Sequence, residues 1–172
     1  MWDFWNLDYL YNAPTMNGSS SAERVRQEIV CLCHAGLDSR TFRVEAVRHL
    51  QKAIPVDVSF FATADPATLL FTSAVVDDIL ARATARFLEN EFLKDDSVKF
   101  ARLASGSSPV DSLGAATKGQ LIHSPRYQDI LAPMDLGDEL RAALVLAPSA
   151  GASCACTASG LALTSRLPRR PF

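Results

Sequence analysis

Apolar positions recur at helical spacing twice near the start of the chain. Val25, Ile29, Leu32 and Cys33 fall on one face of a helix predicted over 21–35. Ser21 is suited to its N-cap, Glu23 to its first turn and Gly36 to its end. Asp38 or Ser39 then caps a second helix, about Arg40 to Ala53, whose apolar positions are Phe42, Val44, Val47 and Leu50 and which Pro55 ends. At 56–63 the period shortens. Val-Asp-Val-Ser-Phe-Phe-Ala-Thr is β-branched and aromatic and is bounded by Pro55 and the turn Asp65-Pro66, which predicts a strand. Leu69–Ser73 predicts a second strand, paired with the first as a hairpin. Helical pattern returns over Asp77–Phe87, through Leu93, and over Ser97–Leu103. Residues 104–124 are rich in Gly, Ser and Pro and predict a loop, apart from a short stretch at 118–122. Ser124-Pro125 opens a short helix to Leu131, with Ser as cap and Pro at the first helical position. Asp138–Leu146 predicts a third strand. Beyond Pro148 small residues dominate and periodicity fades.

Helix, helix, strand, strand, helices, strand describes an α+β domain with an antiparallel sheet. Three strands are few for that much helix, so the sheet reads as incomplete. The expected organisation is a flexible N-terminal extension over 1–20, one domain over 21–147 and an irregular tail over 148–172. The extension holds a dense apolar patch, Trp2, Phe4, Trp5, Tyr9, Leu10 and Tyr11, which reads either as a docking segment or, the preferred reading, as translated upstream sequence with Met16 as the start.

Composition refines this only at its margins. Of 172 residues, 48% are hydrophobic and 21% charged, ordinary for a globular chain with a sizeable core. The net charge of −2 is uneven, because Arg166, Arg169 and Arg170 are the only charges after Leu144. The body is thus more acidic than the whole, which argues against nucleic-acid binding by this chain. No apolar run reaches the roughly 20 residues that span a bilayer, and the start lacks the basic residues of a secretory signal. A cytoplasmic location and no membrane partner are the expectation.

Four cysteines form two Cys-x-Cys pairs, Cys31/Cys33 and Cys154/Cys156. On a helix, residues two apart point about 200° from each other, so Cys31 and Cys33 cannot readily share a metal. Cys31 with His34 could, but a tetrahedral site would also need Cys154 and Cys156, and buried free cysteines are common small hydrophobes. No metal or other cofactor is expected. His34, His49 and His123 are the available bases, but no nucleophile elbow or phosphate-binding glycine loop accompanies them, so no catalytic residue is assigned and no enzyme is expected. Glu89-Asn-Glu91 with Asp95-Asp96 reads as a solvated helix face followed by an N-cap at Asp96 or Ser97. Phe60, Phe61, Phe71, Phe87, Phe92 and Tyr127 are spread over strands and helices and read either as lining of an apolar ligand pocket or as plain core, with Phe61, Phe71, Phe87 and Tyr127 selected as the pocket candidates.

The order of motifs carries a resemblance. Cys33-His-Ala-Gly-Leu-Asp-Ser-Arg40 lies between the two helices, followed by Phe60-Phe-Ala-Thr-Ala-Asp-Pro-Ala-Thr-Leu-Leu-Phe-Thr-Ser73. Arg86-Phe-Leu-Glu-Asn-Glu-Phe92, Ser124-Pro-Arg-Tyr-Gln-Asp-Ile-Leu-Ala-Pro133 and Gly137-Asp-Glu-Leu-Arg-Ala142 complete the series. Over about Ala22–Leu144 the chain resembles the GAF-like N-terminal domain of LuxR-type helix-turn-helix transcriptional regulators. The resemblance implies a GAF/PAS-like domain that senses a small molecule or protein effector, with homodimerisation through the N-terminal helices. Such proteins continue with a further strand, a last helix and the helix-turn-helix. Here they do not follow, although permitted codons for Gly151–Ser159, read one base earlier, spell the expected strand. Out-of-frame translation from about Ser149 is therefore the expectation, leaving the 139–146 strand unpaired and the domain without its DNA-binding half. The alternatives are a stand-alone small-molecule-binding or protein-interaction module and a non-functional fragment.

Overall fold

The computed structural model describes residues 19–145 and 158–166. The aromatic patch near the N-terminus, Met16, Cys154 and Cys156 lie outside them. The chain divides into two compact units, Met1–Pro55 and Val56–Phe172, where one domain over 21–147 was expected.

The first unit is a helical hairpin. Helix α1 spans Ser19–His34, three residues earlier than Ser21 capping would allow, so Glu23 lies beyond the first turn and pairs instead with Arg26 at 2.6 Å. Helix α2 spans Ser39–Leu50. Asp38 is its N-cap, with Oδ1 accepting from the backbone N–H of Arg40 and Thr41 at 2.9 and 3.0 Å. Arg43, Ala46, Val47 and Leu50 are its buried side chains, while Val44 of the expected apolar stripe is exposed. Arg43 is long enough to turn Nε back onto the Ser39 carbonyl at 3.0 Å, so its apolar stem packs while its head stays bonded.

The second unit is α+β. Strands β1 (Val58–Ala64) and β2 (Phe71–Val76) form the expected hairpin. Asp65 shapes the turn by accepting from the N–H groups of Ala67 and Thr68 at 3.0 and 2.8 Å. Helices α3 (Asp78–Ala81), α4 (Thr84–Leu93) and α5 (Phe100–Ser105) follow. The 77–87 helix expected from periodicity is therefore two helices, broken at Arg82–Ala83. The expected loop over 104–124 contains a short strand, β3 (Val110–Ser112), and a one-turn helix, α6 (Leu113–Ala116). Ser124 caps the turn after it, its Oγ accepting from Tyr127 N at 3.2 Å. A π-helical turn, Tyr127–Leu131, then leads into β4 (Leu136–Val145).

The largest departure is β5 (Ala158–Arg166), inside the expected irregular tail. It pairs antiparallel with β1 on one side and β4 on the other, giving one five-stranded sheet of order β2-β1-β5-β4-β3. The sheet is not incomplete: the strand expected to stay bare is paired along most of its length. Ala, Gly and Ser are poor strand formers, which is why 158–166 carries little strand signal beyond Leu161, Leu163 and Thr164. The slot between β1 and β4 selects the conformation instead, because both neighbours have backbone groups to satisfy. Val58, Phe60, Ala62, Leu113, Ile130, Leu131, Leu136 and Ala143 form the centre of the core with Phe87 and Phe100.

Candidate functional site: an apolar cleft over a buried ion network

The second unit buries an unusual amount of charge. Arg126 and Arg141 are fully buried, and Glu91, Asp96 and Glu139 are 5%, 7% and 1% exposed. Such groups survive burial only when paired and hydrogen-bonded. Arg126 Nε donates to Glu139 Oε2 at 2.6 Å, Nη1 to Asn90 Oδ1 at 3.3 Å and Nη2 to the Ser97 carbonyl at 3.1 Å. Arg141 Nη1 donates to Glu91 Oε2 at 2.6 Å and to the Val98 carbonyl at 3.3 Å, while its Nε stands 3.1 Å from Glu139 Oε2. Asp96 Oδ2 collects Asn90 Nδ2, Ser124 Oγ and the N–H of Arg126 within 2.7–3.1 Å. Glu91 Oε1 accepts from the Phe100 N–H at 2.9 Å, at the start of α5.

The stretch Glu89–Asp96 is thus no solvated face: Glu89 and Asp95 are exposed, but Asn90, Glu91 and Asp96 point inward, and α5 begins at Phe100 rather than after a cap at Asp96 or Ser97. Burial pushes the carboxyl of Glu139 up, but the Arg126 and Arg141 guanidiniums outweigh it and hold the group below the usual range. Asp96 is likewise pushed up by burial and brought below its ordinary value by Asn90, the Arg126 N–H and charge, and Ser124. Arg141 is fixed further by aromatic faces, its guanidinium carbon 4.5 Å from the Phe100 ring centroid and 5.1 Å from that of Phe87. The network ties α4, the 96–98 segment and the turn at 124–127 to β4, and so makes a rigid base.

On that base sits an apolar cleft of about 440 Å³. Phe60 of β1, Phe71 of β2 and Phe87 of α4 are central to its lining. Its walls are Leu70–Ala74 and Val76 on one side, with Leu80, Thr84, Leu88 and Phe92 on the other. Phe60 stacks obliquely on Phe87 at 4.6 Å and on Phe71 at 5.3 Å, and Phe71 meets Phe92 edge to face at 5.1 Å. None of the lining side chains is ionisable; Thr72, Ser73 and Thr84 are the polar ones.

Of the four aromatics expected at a pocket, Phe71 and Phe87 line the cleft and the other two do not. Phe61 follows Phe60 on β1, so the two point to opposite sides of the sheet, and it is Phe60 that joins the cleft. Tyr127 is half-buried and packs on the core cluster. Phe60 and Phe92, which belong to the wider aromatic set of the sequence but were not among the four selected, complete the aromatic lining. Residues 58–62 are all buried, so both faces of β1 are covered and the strand's apolar pattern does not separate Phe60 from Phe61.

The other candidates are dispersed. Cys31 is exposed and Cys33 half-buried, both free, with burial raising the Cys33 thiol. His49 Nδ1 lies 2.5 Å from Glu28 Oε2, which also accepts from Lys52 Nζ at 3.1 Å. Among the described residues no three His, Cys, Asp or Glu side chains converge as metal ligands, and no helix is long and apolar enough to cross a membrane. No protein-family model, curated protein or solved structure matches this chain.

Proposed function

We propose that this chain is a cytoplasmic sensing domain of the GAF-like kind found in LuxR-type transcriptional regulators, and that its sensing site is the cleft over Phe60, Phe71 and Phe87. The observation that carries the reading is the pairing of an open, uncharged aromatic cleft with a base locked by buried ion pairs. Apolar ligand sites are concave, largely pre-formed and lined by aromatic residues. A sensor also needs occupancy to be felt elsewhere, and Phe87 lies on α4, which the network links to β4 through Glu91 and Arg141. In this reading the chain is not an enzyme, uses no cofactor and binds no nucleic acid by itself. Its effector is a neutral apolar molecule or segment, and its helical hairpin provides a homodimer contact. The motif order Cys33–Ala142 supports the family reading, as does the α+β fold with an antiparallel sheet.

The test is titration of the full chain with N-phenyl-1-naphthylamine, a neutral fluorophore that brightens in apolar sites. Saturable enhancement is expected, with affinity roughly tenfold weaker in Thr84→Phe, where a ring fills the cleft from an exposed position. No enhancement, or enhancement indifferent to Thr84→Phe, would remove the cleft as the sensing site.

A further inference from the structure

One wall of the cleft is an edge strand of the sheet. Strand β2 ends the sheet and pairs with β1 alone among the described residues. The Asp77 N–H donates to the Ser59 carbonyl at 3.1 Å, which sets the alternation. Residues 77 and 75 turn their backbone groups toward β1, and Ala74 and Val76 turn theirs outward. Both residues also line the cleft. The outward amides and carbonyls therefore stand along the rim of an apolar groove whose opposite wall is α4, with Thr84, Leu88 and Phe92.

The two ends of the sheet are treated differently. Strand β3, at the far edge, is three residues long and carries Asp111, a short and charged edge of the kind that resists pairing. Strand β2 is six residues long, and from Leu69 to Val76 there is no charge and no proline. Leu70, Leu88 and Phe92 remain 52%, 36% and 38% exposed beside it.

We propose that this groove takes an extended peptide segment of a partner protein, added to β2 as a further strand, with uncharged apolar side chains at alternate positions seated over Phe71 and Phe87. The proposal rests on the cleft being the sensing site and names the chemistry of its effector. Outward backbone groups call for an occupant that offers peptide groups in return. A lining without ionisable groups offers nothing to a buried charge, so the inserted side chains are neutral. Six strand residues make a strip about 20 Å long and about 10 Å wide, roughly 200 Å². A stable dimer needs about 800 Å² from each partner, so the strip suits a single peptide strand better than a second copy of the chain.

The test uses the full chain and fluorescein-labelled peptides of about eight residues that alternate Thr with Val, Leu or Phe. Each has a twin N-methylated at alternate amides, which keeps the side chains and removes main-chain donors. Polarisation is expected to show saturable binding and displacement of N-phenyl-1-naphthylamine, with the twins at least about tenfold weaker. Ala74→Pro should melt like the parent, because its lost N–H faces outward at an edge, and should lose peptide binding to a similar extent. If that variant does not fold, the methylated twins decide alone. Twins that bind equally well, or a folded Ala74→Pro that does, would overturn the proposal. Fluorophore binding without any peptide binding overturns it while leaving the cleft reading standing; absence of both overturns the cleft reading itself. A dimer seen by light scattering and abolished by Ala74→Pro would assign the edge to a second copy, and the peptide proposal would fall.

Discussion

At the scale of single residues, Glu139 is where the structure makes its sharpest commitment. One carboxylate oxygen lies within 3.1 Å of both Arg126 Nε and Arg141 Nε, at 1% exposure. Replacing both charges with apolar groups could be harmless, but removing one partner leaves the others buried and uncompensated, at a cost of about 3–5 kcal/mol. Glu139→Gln is therefore expected to lower the unfolding free energy obtained from urea titration by that amount. Glu89→Gln removes a carboxylate of the same helix that Asn90 and Glu91 leave, but Glu89 is half-exposed, 3.7 Å from Lys94. Its expected effect is below about 1 kcal/mol. Equal effects of the two substitutions in parallel urea titrations would mean that the buried network does not hold the fold. None of this was legible in the sequence. Glu89, Asn90, Glu91, Asp95 and Asp96 look alike as a polar run, and what separates them is partners 28 to 50 residues away.

At the scale of elements, two substitutions test why each segment takes its form. Asp38→Ala removes the acceptor for two otherwise orphaned N–H groups at the start of α2 and should cost about 1 kcal/mol. A denaturant midpoint unchanged beyond error would show that solvent satisfies those groups equally well. That cap was legible because capping is local chemistry, read from Asp38 and the apolar face that follows. Strand β5 is the opposite case. Its Ala162 sits between Phe60 of β1 and Arg141 of β4, so the strand is central and bonded on both sides. Ala162→Pro should cost about 3 kcal/mol or more, since proline removes a ladder bond and its ring does not fit a central strand. The same change at Ala74, on the edge, should cost little. Thermal melts of the two variants compare the positions directly, and a harmless Ala162→Pro would argue that 158–166 is not held in the sheet.

For the whole molecule, the balance of ionised groups predicts the response to pH. Asp96 and Glu139 in the interior, and Glu23, Glu28, Asp38 and Asp65 at the surface, have folded-state values below their ordinary ones. For Asp96 and Glu139, burial opposes that shift and the paired charges and hydrogen bonds outweigh it. For the surface groups the donors of Arg26, His49, Thr41 and Thr68 respectively come first. As pH falls, the unfolded chain takes up protons first, near the ordinary values of about 4. The contribution is thus complete above about pH 5, declines as pH drops through about 4, and is exhausted below the depressed folded values. Urea midpoints should be level between pH 7 and 5 and fall steeply by pH 3. A midpoint that held or rose at pH 3 would contradict the assignment of these carboxylates as paired.

The sequence by itself determined what short-range physics controls. The helical hairpin followed from 3.6-residue periodicity and the Asp38 cap, the β1–β2 hairpin from alternation and the Asp65-Pro66 turn, and the α+β class from their order. The tertiary structure decided everything that depends on distant partners. It set 158–166 between β1 and β4 despite weak strand propensity, because two neighbouring strands offered a ladder. It turned Phe60 rather than Phe61 toward the cleft, because register fixes which face of β1 meets α4. It also allowed Arg126, Arg141, Glu91 and Glu139 to be buried, because a charge leaves water only where the fold brings its counter-charge within hydrogen-bonding reach.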